Sequence, residues 1–128
     1  MKTIEGHLKV HAEALALRSQ RNELLASNIA NAATPNYKAK DLDFDQMLNS
    51  KMGFGKVNIS DKRHFEMSIG PNDQGVKFRQ NVTPSMDGNT VELHVEQLQF
   101  SENVMKYQTS LEFLNRKISG LMSAIKGE

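Results

Sequence analysis

Apolar side chains recur at alternating intervals of four and three residues from Leu93 to Ile125. Nine of the ten positions are apolar or aromatic, and Gln97, the exception, either fixes the register or marks a frayed entrance. This spacing is typical of a coiled-coil seam. A helix over residues 89–126 would be roughly 55 Å long and would need a partner to cover its seam. The ten positions are Leu93, Gln97, Phe100, Val104, Tyr107, Leu111, Leu114, Ile118, Leu121 and Ile125.

A second helix is predicted from Ile4 to Ala32, where the same spacing recurs with three polar occupants. A parallel line from Val10 to Leu24 widens the apolar stripe, which is expected of a helix that contacts more than one neighbour. Pairing this helix antiparallel with the C-terminal one would bury both stripes. The N-terminal seam consists of Ile4, Leu8, His11, Leu15, Arg18, Asn22, Leu25, Ile29 and Ala32.

The first helix is expected to stop at the turn over residues 33–36. Pro35 lacks the N–H that would continue the helix, and it biases Thr34 away from the α region. Asn36 suits a turn position with positive φ. Residues 41–48 then read as a loop entering one short helix, with acidic residues at its start that suit the helix dipole.

Helical periodicity disappears between residues 49 and 88, where two of the three prolines lie. Alternation at residues 56–60 and 76–79 predicts short strands, with a turn at residues 70–75 between them. This segment is interpreted as a small β-containing excursion or a partly mobile loop. The last helix is expected to begin with Asn89 as N-cap and Glu92 three residues later, in the manner of a capping box, or with Thr90 as the cap.

The expected fold is therefore mainly α, with long N- and C-terminal helices paired as a coiled coil and a small β-containing or irregular middle segment. Residues 1–33 would form the N-terminal helix, residues 34–88 the turn, short helix and excursion, and residues 89–128 the C-terminal helix. At 128 residues the chain has the size of a single domain.

Composition narrows the choice of function class. Sixteen Lys and Arg against fifteen Asp and Glu give a net charge of +1, so no overall field attracts nucleic acid or acidic lipid. Cysteine is absent, which removes disulfides and thiol chemistry. No secretory signal and no run of eighteen apolar residues is present. The chain is expected to be either cytoplasmic or exported by a machine that reads another signal.

Candidate catalytic and metal chemistry is sparse. His7 and His11 have the i, i+4 spacing of a helical metal pair, but no third ligand accompanies them. The basic cluster at residues 62–64 lacks the length and aromatic partners of a nucleic-acid site. With no phosphate loop or nucleophile elbow, we expect no enzyme, cofactor, metal site, nucleic-acid partner or direct membrane insertion.

The stretch over residues 25–38 resembles the SNxAN…T-P-G-Y-K signature near the N-terminus of bacterial flagellar axial proteins. Asn36 stands where that family usually has Gly, and Asn tolerates the left-handed conformation. The chain also resembles the proximal members of the flagellar basal-body rod protein family in its short length and in the sequences over residues 41–44 and 85–91. The motif positions are Ser27, Asn28, Ala30, Asn31, Thr34, Pro35, Tyr37 and Lys38.

This resemblance implies a structural subunit of the flagellar basal-body rod, assembled through its terminal helices to transmit torque and line the export channel. It also implies location in the basal body, in the periplasmic space after type III export. Implied partners are other copies of the chain, other rod proteins, the adaptor between rod and membrane ring, and the export gate. A cytoplasmic coiled-coil adaptor or export chaperone is the alternative.

The helix stripes are expected to serve both within the chain and between subunits, because two paired helices leave much of a wide stripe exposed. Asn28 and Asn31 would either bind a neighbouring subunit or satisfy groups at the end of their own helix. The candidate helix and subunit interface consists of Leu15, Leu25, Ile29, Leu93, Phe100, Val104, Tyr107, Leu111, Leu114, Ile118, Leu121 and Ile125.

Overall fold

A computed structural model of the chain describes residues 4–53 and 75–127. The elements, in chain order, are α1 (Ile4–Ala30), β1 (Lys40–Leu42), α2 (Phe44–Lys51), β2 (Val76–Phe78) and α3 (Leu93–Lys126). Two long helices pack against each other, and a small antiparallel sheet lies between them in the sequence. The mainly α fold with a small β-containing middle segment is therefore confirmed.

The helices α1 and α3 run antiparallel. Near the end of α1, Asn28 contacts Glu96 close to the start of α3, whereas Asn22, earlier in α1, contacts Asn103, later in α3. At about 1.5 Å per residue, the 27 residues of α1 span roughly 40 Å and the 34 residues of α3 roughly 51 Å. Helix α1 also packs against β1 and α2, so it has more than one neighbour, as its wide apolar stripe predicted.

The two-stranded sheet pairs β1 with β2 in the register Lys40↔Phe78 and Leu42↔Val76. The strand at 76–78 matches its prediction. The strand at 40–42 corrects the expectation of a loop there, because its extended conformation is stabilised by a partner some 35 residues away that local patterning does not reveal. The strand expected at residues 56–60 and most of the turn expected at 70–75 lie outside the described residues.

In the first half of the chain, the end of α1, the turn that follows it and the short helix lie close to where the local sequence predicts them. Helix α1 ends at Ala30, and Asn36 adopts the predicted positive φ of 60°. The predicted short helix is α2, and its N-cap Asp43 accepts a hydrogen bond from the backbone N–H of Gln46 at 3.2 Å.

The start of the last helix was wrongly predicted. Helix α3 begins at Leu93 with Glu92 in the N-cap position, and no side chain caps it. Asn89 and Thr90 lie upstream of the helix, and both side chains bind other parts of the chain.

The buried core contains as many polar as apolar side chains among the described residues, which is unusual for so small a fold. The buried apolar residues are Leu17, Leu25, Ala39 and Leu42. The buried polar residues are Asn28, Asn89, Glu96 and Asn103. Each of the four polar residues makes hydrogen bonds to other segments of the chain, so their contacts tie the fold together.

Across residues 4–53 and 75–127, no helix combines the length and apolarity needed to cross a bilayer.

Candidate functional site

Helix α3 carries three parallel lines of side chains, each with a seven-residue repeat. The first, a polar line, is Glu96, Asn103 and Ser110, of which the first two are completely buried. The second, a central apolar line, is half-buried and consists of Phe100, Tyr107, Leu114 and Leu121. The third, here named the groove line, consists of Val104, Leu111, Ile118 and Ile125.

Glu96 and Asn103 of the polar line form hydrogen bonds with α1. Asn103 donates to the carbonyl of Arg18 at 2.9 Å and to the side chain of Asn22 at 2.8 Å. On the groove line, Leu111 and Ile118 keep about 40% and 39% of their surface exposed, and Ile125 keeps 81%. Leu93, at the start of α3, is 39% exposed. Part of the predicted apolar seam is therefore left without a partner within the described chain.

The predicted interface residues of α1 lie in the core or at its margin. Leu25 is completely buried, and Leu15 and Ile29 are half-buried. The structure brings this helix and α3 together, whereas contact with another subunit stays a prediction.

Asn28 occupies the centre of the site and uses its full hydrogen-bonding capacity. Its amide nitrogen donates to the carbonyl of Lys40 at 2.7 Å and to the carboxylate of Glu96 at 3.1 Å. Its carbonyl oxygen accepts from the backbone N–H of Lys40 at 3.1 Å and from the hydroxyl of Tyr37 at 3.4 Å. The side chain therefore pairs with β1 as a neighbouring strand would, and it serves the chain's own fold rather than another subunit.

Four charged residues form a cluster beside Asn28, here named the ionic cluster: Arg21, Asp41, Arg79 and Glu96. Arg21 binds both carboxylate oxygens of Asp41, at 2.9 and 3.1 Å. Arg79 bridges Asp41 and Glu96. Arg21 also donates to Gln99 at 2.9 Å. The two positive and two negative charges balance, as burial of ionised groups requires.

The protonation of the cluster follows from these contacts. Burial by itself raises the pKa of Asp41, but hydrogen bonds from Arg21, Arg79 and the backbone of Leu42 outweigh burial, so the pKa of Asp41 is lowered. The hydrogen bond to Asp41 raises the pKa of Arg21. Burial lowers the pKa of Arg18, whose guanidinium lies 4.3 Å from the centre of the Phe44 ring. Asp41 is therefore ionised at neutral pH.

The end of α1 is held by the segment that precedes α3, and we name this contact between residues 27–38 and 85–91 the motif junction. The amide nitrogen of Asn89 donates to the carbonyls of Asn31, Ala32 and Thr34 at 2.8–3.0 Å. The oxygen of the same side chain accepts from the backbone N–H of Val91 at 2.7 Å. Asn89 therefore binds the turn that follows the end of α1.

Backbone contacts complete the motif junction. The N–H of Asn36 donates to the carbonyl of Asp87 at 2.9 Å, and that of Thr90 donates to Tyr37 at 3.0 Å. Gly88 has a φ of 75°, and a Cβ on it would lie 2.5 Å from Oδ1 of Asn36. Both residues with positive φ therefore fit against each other, and the glycine leaves the space that Asn36 occupies.

Some of the remaining motif residues form hydrogen bonds at the motif junction or at the end of α1, and the others are exposed to solvent. Lys38 donates to the carbonyl of Gly88 at 2.7 Å, and the hydroxyl of Ser27 lies 3.2 Å from that of Tyr37. Asn31 donates to the carbonyl of Ser27 at 2.8 Å, so it satisfies its own helix end. Ala30, Thr34 and Pro35 are exposed.

The charged and polar side chains that form this site were not predicted from the sequence. Arg21, Asp41 and Arg79 gave no local signal, because each pairs with residues far along the chain. Glu96 and Asn103 did carry a signal, namely a seven-residue interval adjacent to the central apolar line. Asn89 lies in a stretch that the family resemblance covers. The sequence suggested that Asn89 caps the start of α3, whereas its side chain binds the turn that follows α1.

Comparison with known proteins agrees with the motif. The sequence profile of the family described as "Flagella basal body rod protein" matches residues 8–38. The flagellar basal body rod protein FlgB of Cereibacter sphaeroides is 56% identical over 129 aligned positions that cover all of both chains. The proteins of the same name from Aeromonas hydrophila and Escherichia coli K12 are 46% and 37% identical. These two alignments cover 93% and 96% of this chain, and 92% and 95% of the relatives.

Proposed function

Because this chain belongs to the FlgB family of flagellar basal body rod proteins, and is thus a non-enzymatic structural subunit of the rod, we propose that it forms the proximal rod and transmits torque through its paired helices. It assembles with other rod proteins in the flagellar basal body. In the proposed arrangement the helices also line the export channel. The alternative of a cytoplasmic adaptor or chaperone receives no support from the relatives.

The groove line is the observation that carries this proposal. Leu111 and Ile118 keep about 40% and 39% of their surface exposed, and Ile125 keeps 81%. A soluble monomer seldom leaves a regular apolar line of this length uncovered, whereas a subunit interface requires one. Torque would pass between subunits through many small apolar contacts along roughly 50 Å of helix.

The partners beyond the rod itself are proposed from the resemblance. A subunit in the proximal rod would contact the adaptor that joins rod and membrane ring, and it would lie next to the export gate. The chain would reach this position in the periplasmic space by type III export.

The test begins with an in-frame deletion, examined by swimming assay and by electron microscopy of purified basal bodies. We expect cells that keep the membrane ring but lack the rod and filament, and that regain both with the intact gene. Complete rods in the deletion strain, with flagellar proteins accumulating inside the cell, would overturn the proposal in favour of a chaperone.

Point variants then locate the interface. Leu111→Asp and Ile118→Asp place a charge on the groove line, and each is expected to reduce rod assembly at least tenfold with little change in the fold, because these side chains are only half-buried. Ser19→Asp is the matched control, since it adds the same charge at an exposed position of α1. Leu114→Asp and Leu121→Asp are expected to abolish assembly too, but they also disturb the packing of α1 on α3. Normal swimming of the two groove-line variants would show that the interface lies elsewhere.

A further inference from the structure

One peptide bond of the motif junction has a chemically labile sequence, Asp87–Gly88. Gly88 is the only one of the eight glycines that directly follows an aspartate or an asparagine. The carboxyl group of an aspartate lies close to the backbone nitrogen of the next residue, and glycine has no Cβ to shield that nitrogen. The two residues can therefore close a ring within the backbone, which a bulkier residue after the aspartate would hinder.

The ring-closing reaction requires no partner and no oxidant. The nitrogen of Gly88 attacks Cγ of the protonated Asp87 carboxyl group, a C–N bond forms, and the hydroxyl group leaves with the amide hydrogen as water. Water then opens the resulting succinimide. Attack of water at Cγ restores aspartate, whereas attack at the α-carbonyl carbon gives isoaspartate, in which the main chain runs through Cγ. The product contains the same atoms as the starting chain.

The side chain of Asp87 is exposed to solvent, but two hydrogen bonds hold its carboxylate. Oδ1 accepts from the hydroxyl of Ser85 at 2.5 Å and from the backbone N–H of Asn89 at 3.0 Å. These hydrogen bonds, above all the one from Ser85, lower the pKa of Asp87. The protonated carboxyl group that ring closure requires is therefore scarcer in the folded chain.

The backbone is held on both sides of the same peptide bond. The carbonyl of Asp87 accepts from the N–H of Asn36 at 2.9 Å, and the N–H of Gly88 donates to the carbonyl of Ser85 at 3.3 Å. The carbonyl of Gly88 accepts from Nζ of Lys38 at 2.7 Å. Ring closure consumes the amide hydrogen of Gly88 and moves the peptide group that Asn36 holds. The closed motif junction therefore opposes the reaction.

An isomerised chain would no longer fit the junction. Isoaspartate adds one carbon to the main chain, which lengthens it by about 1.5 Å. The carbonyl that Asn36 binds becomes part of a carboxylate outside the main chain. Gly88 would also be displaced from its position against Asn36, where a Cβ would lie only 2.5 Å from Oδ1.

We propose that Asp87–Gly88 is a site of spontaneous isoaspartate formation, which the motif junction suppresses in the folded chain and exposes when the junction opens. This inference concerns the chain by itself and does not rest on the proposed function. A group that reacts only in an open state is modified in proportion to the open fraction, as long as opening and closing are fast. The rate of isomerisation therefore reports the opening of the junction.

The test uses the purified full-length chain, incubated at neutral pH with and without guanidinium chloride. Protein L-isoaspartyl methyltransferase with labelled S-adenosylmethionine counts isoaspartate, and electron-transfer fragmentation of peptides locates it, because isomerisation leaves the mass unchanged. Circular dichroism follows the helices in each sample. Asp87→Glu is the control for the site, and its denatured chain should lose the methyltransferase signal that the unmodified chain develops at this position.

We expect the denatured chain to accumulate isoaspartate at position 87. The folded chain should do so at least about tenfold more slowly, which corresponds to an opening free energy of about 1.4 kcal/mol or more. Asn89→Ala removes the side chain that binds the turn after α1, so it should raise the rate in the folded chain several-fold. Asn115→Ala is the matched control, since Asn115 is exposed on α3 away from the junction, and it should leave the rate unchanged.

Three outcomes would overturn the inference. Absence of isoaspartate at position 87 from the denatured chain would show that the site does not react, and equal rates in the two samples would show that the folded chain gives no protection. If circular dichroism shows that Asn89→Ala is unfolded, Lys38→Ala replaces it, because this variant removes only an exposed contact to Gly88. A rate in the folded variant that matches the rate of Asn115→Ala would show that the junction is not what protects the site.

Discussion

Two asparagine side chains take the place of backbone partners near the end of α1. Asn28 pairs with the N–H and carbonyl of Lys40, and Asn89 donates to three carbonyls beyond the last turn. Only a side chain that both donates and accepts in one plane can replace a peptide group in this way. Aspartate, which has the same shape, lacks the donors that both positions use.

Asn28→Ala is expected to lower the free energy of unfolding by about 3 kcal/mol, because it leaves the backbone groups of Lys40 and the carboxylate of Glu96 without a buried partner. Urea denaturation followed by circular dichroism measures the change. Asn31→Ala is the control, and it should cost less than about 1 kcal/mol, since Asn31 is only half-buried and serves its own helix end. Equal losses from the two variants would contradict the central role of Asn28.

How far single residues could be predicted depends on the reach of their contacts. Pro35 and Asn36 act on their own backbone, so their turn was predictable from the sequence. The role of Asn28 depends on Lys40 and Glu96, which lie 12 and 68 positions away. Nothing within one helix turn of Asn28 distinguishes it from an exposed helix-end residue.

Helix α3 shows that the same limit applies to whole helices: their local properties could be predicted from the sequence, but their long-range contacts could not. Its apolar spacing predicted a long helix, because periodicity is a property of the segment itself. The face that contacts α1 was not predictable from apolarity, since buried Glu96 and Asn103 lie there while Leu111 and Ile118 remain half-exposed. Partners on α1 and next to β2 make burial of these polar side chains possible.

The motif junction, which joins the end of α1 to the segment before α3, is expected to be sensitive to a single methyl group. Gly88→Ala would place a Cβ 2.5 Å from Oδ1 of Asn36 at a φ of 75°, so we expect a loss of about 2 kcal/mol or more in the free energy of unfolding. Thermal and urea denaturation of the isolated chain measure it.

Gly53→Ala separates the two causes of this loss. Gly53 has a φ of 74°, and within the described part of the chain no atom lies within 4 Å of the position that a Cβ would take. Only the backbone cost of about 1 kcal/mol therefore applies there. If Gly88→Ala destabilises the chain no more than Gly53→Ala does, the contact between Gly88 and Asn36 is unimportant.

At the scale of the whole molecule, the ionic cluster joins both long helices to the small sheet. Arg21 belongs to α1, Asp41 to β1 and Glu96 to α3, while Arg79 directly follows β2. Because the pairing is mutual and neutral overall, removing one member leaves another buried without its partner. The cluster thereby fixes how the small sheet is oriented against the helix pair.

The cluster gives the whole molecule an acid-dependent stability. The folded-state pKa of Asp41 lies below its unfolded value of about 3.9, so its ionised form stabilises the fold above about pH 4, and this contribution is lost as the pH falls through the folded value. Asp41→Asn is expected to cost about 2 kcal/mol at pH 7 and progressively less below about pH 4. Urea denaturation across this pH range measures the difference.

Glu23→Gln is the control for this measurement, because it removes one carboxylate from an exposed position of α1. Its difference from the unmodified chain should be small at neutral pH. A difference for Asp41→Asn that stays constant down to about pH 2 would contradict the assigned role of the carboxylate.

The long sequence separations between contacting residues of α1 and α3 determine when the fold can form. Asn28 and Glu96 are 68 positions apart, and Arg21 and Gln99 are 78 apart. Loops of this length close at an entropic cost that precedes any gain from the contacts. A nascent chain that ends before α3 lacks the residues that close these loops, so its α1 and β1 have no complete core to join. The contacts between α1 and α3 can therefore form only when the last third of the chain is present.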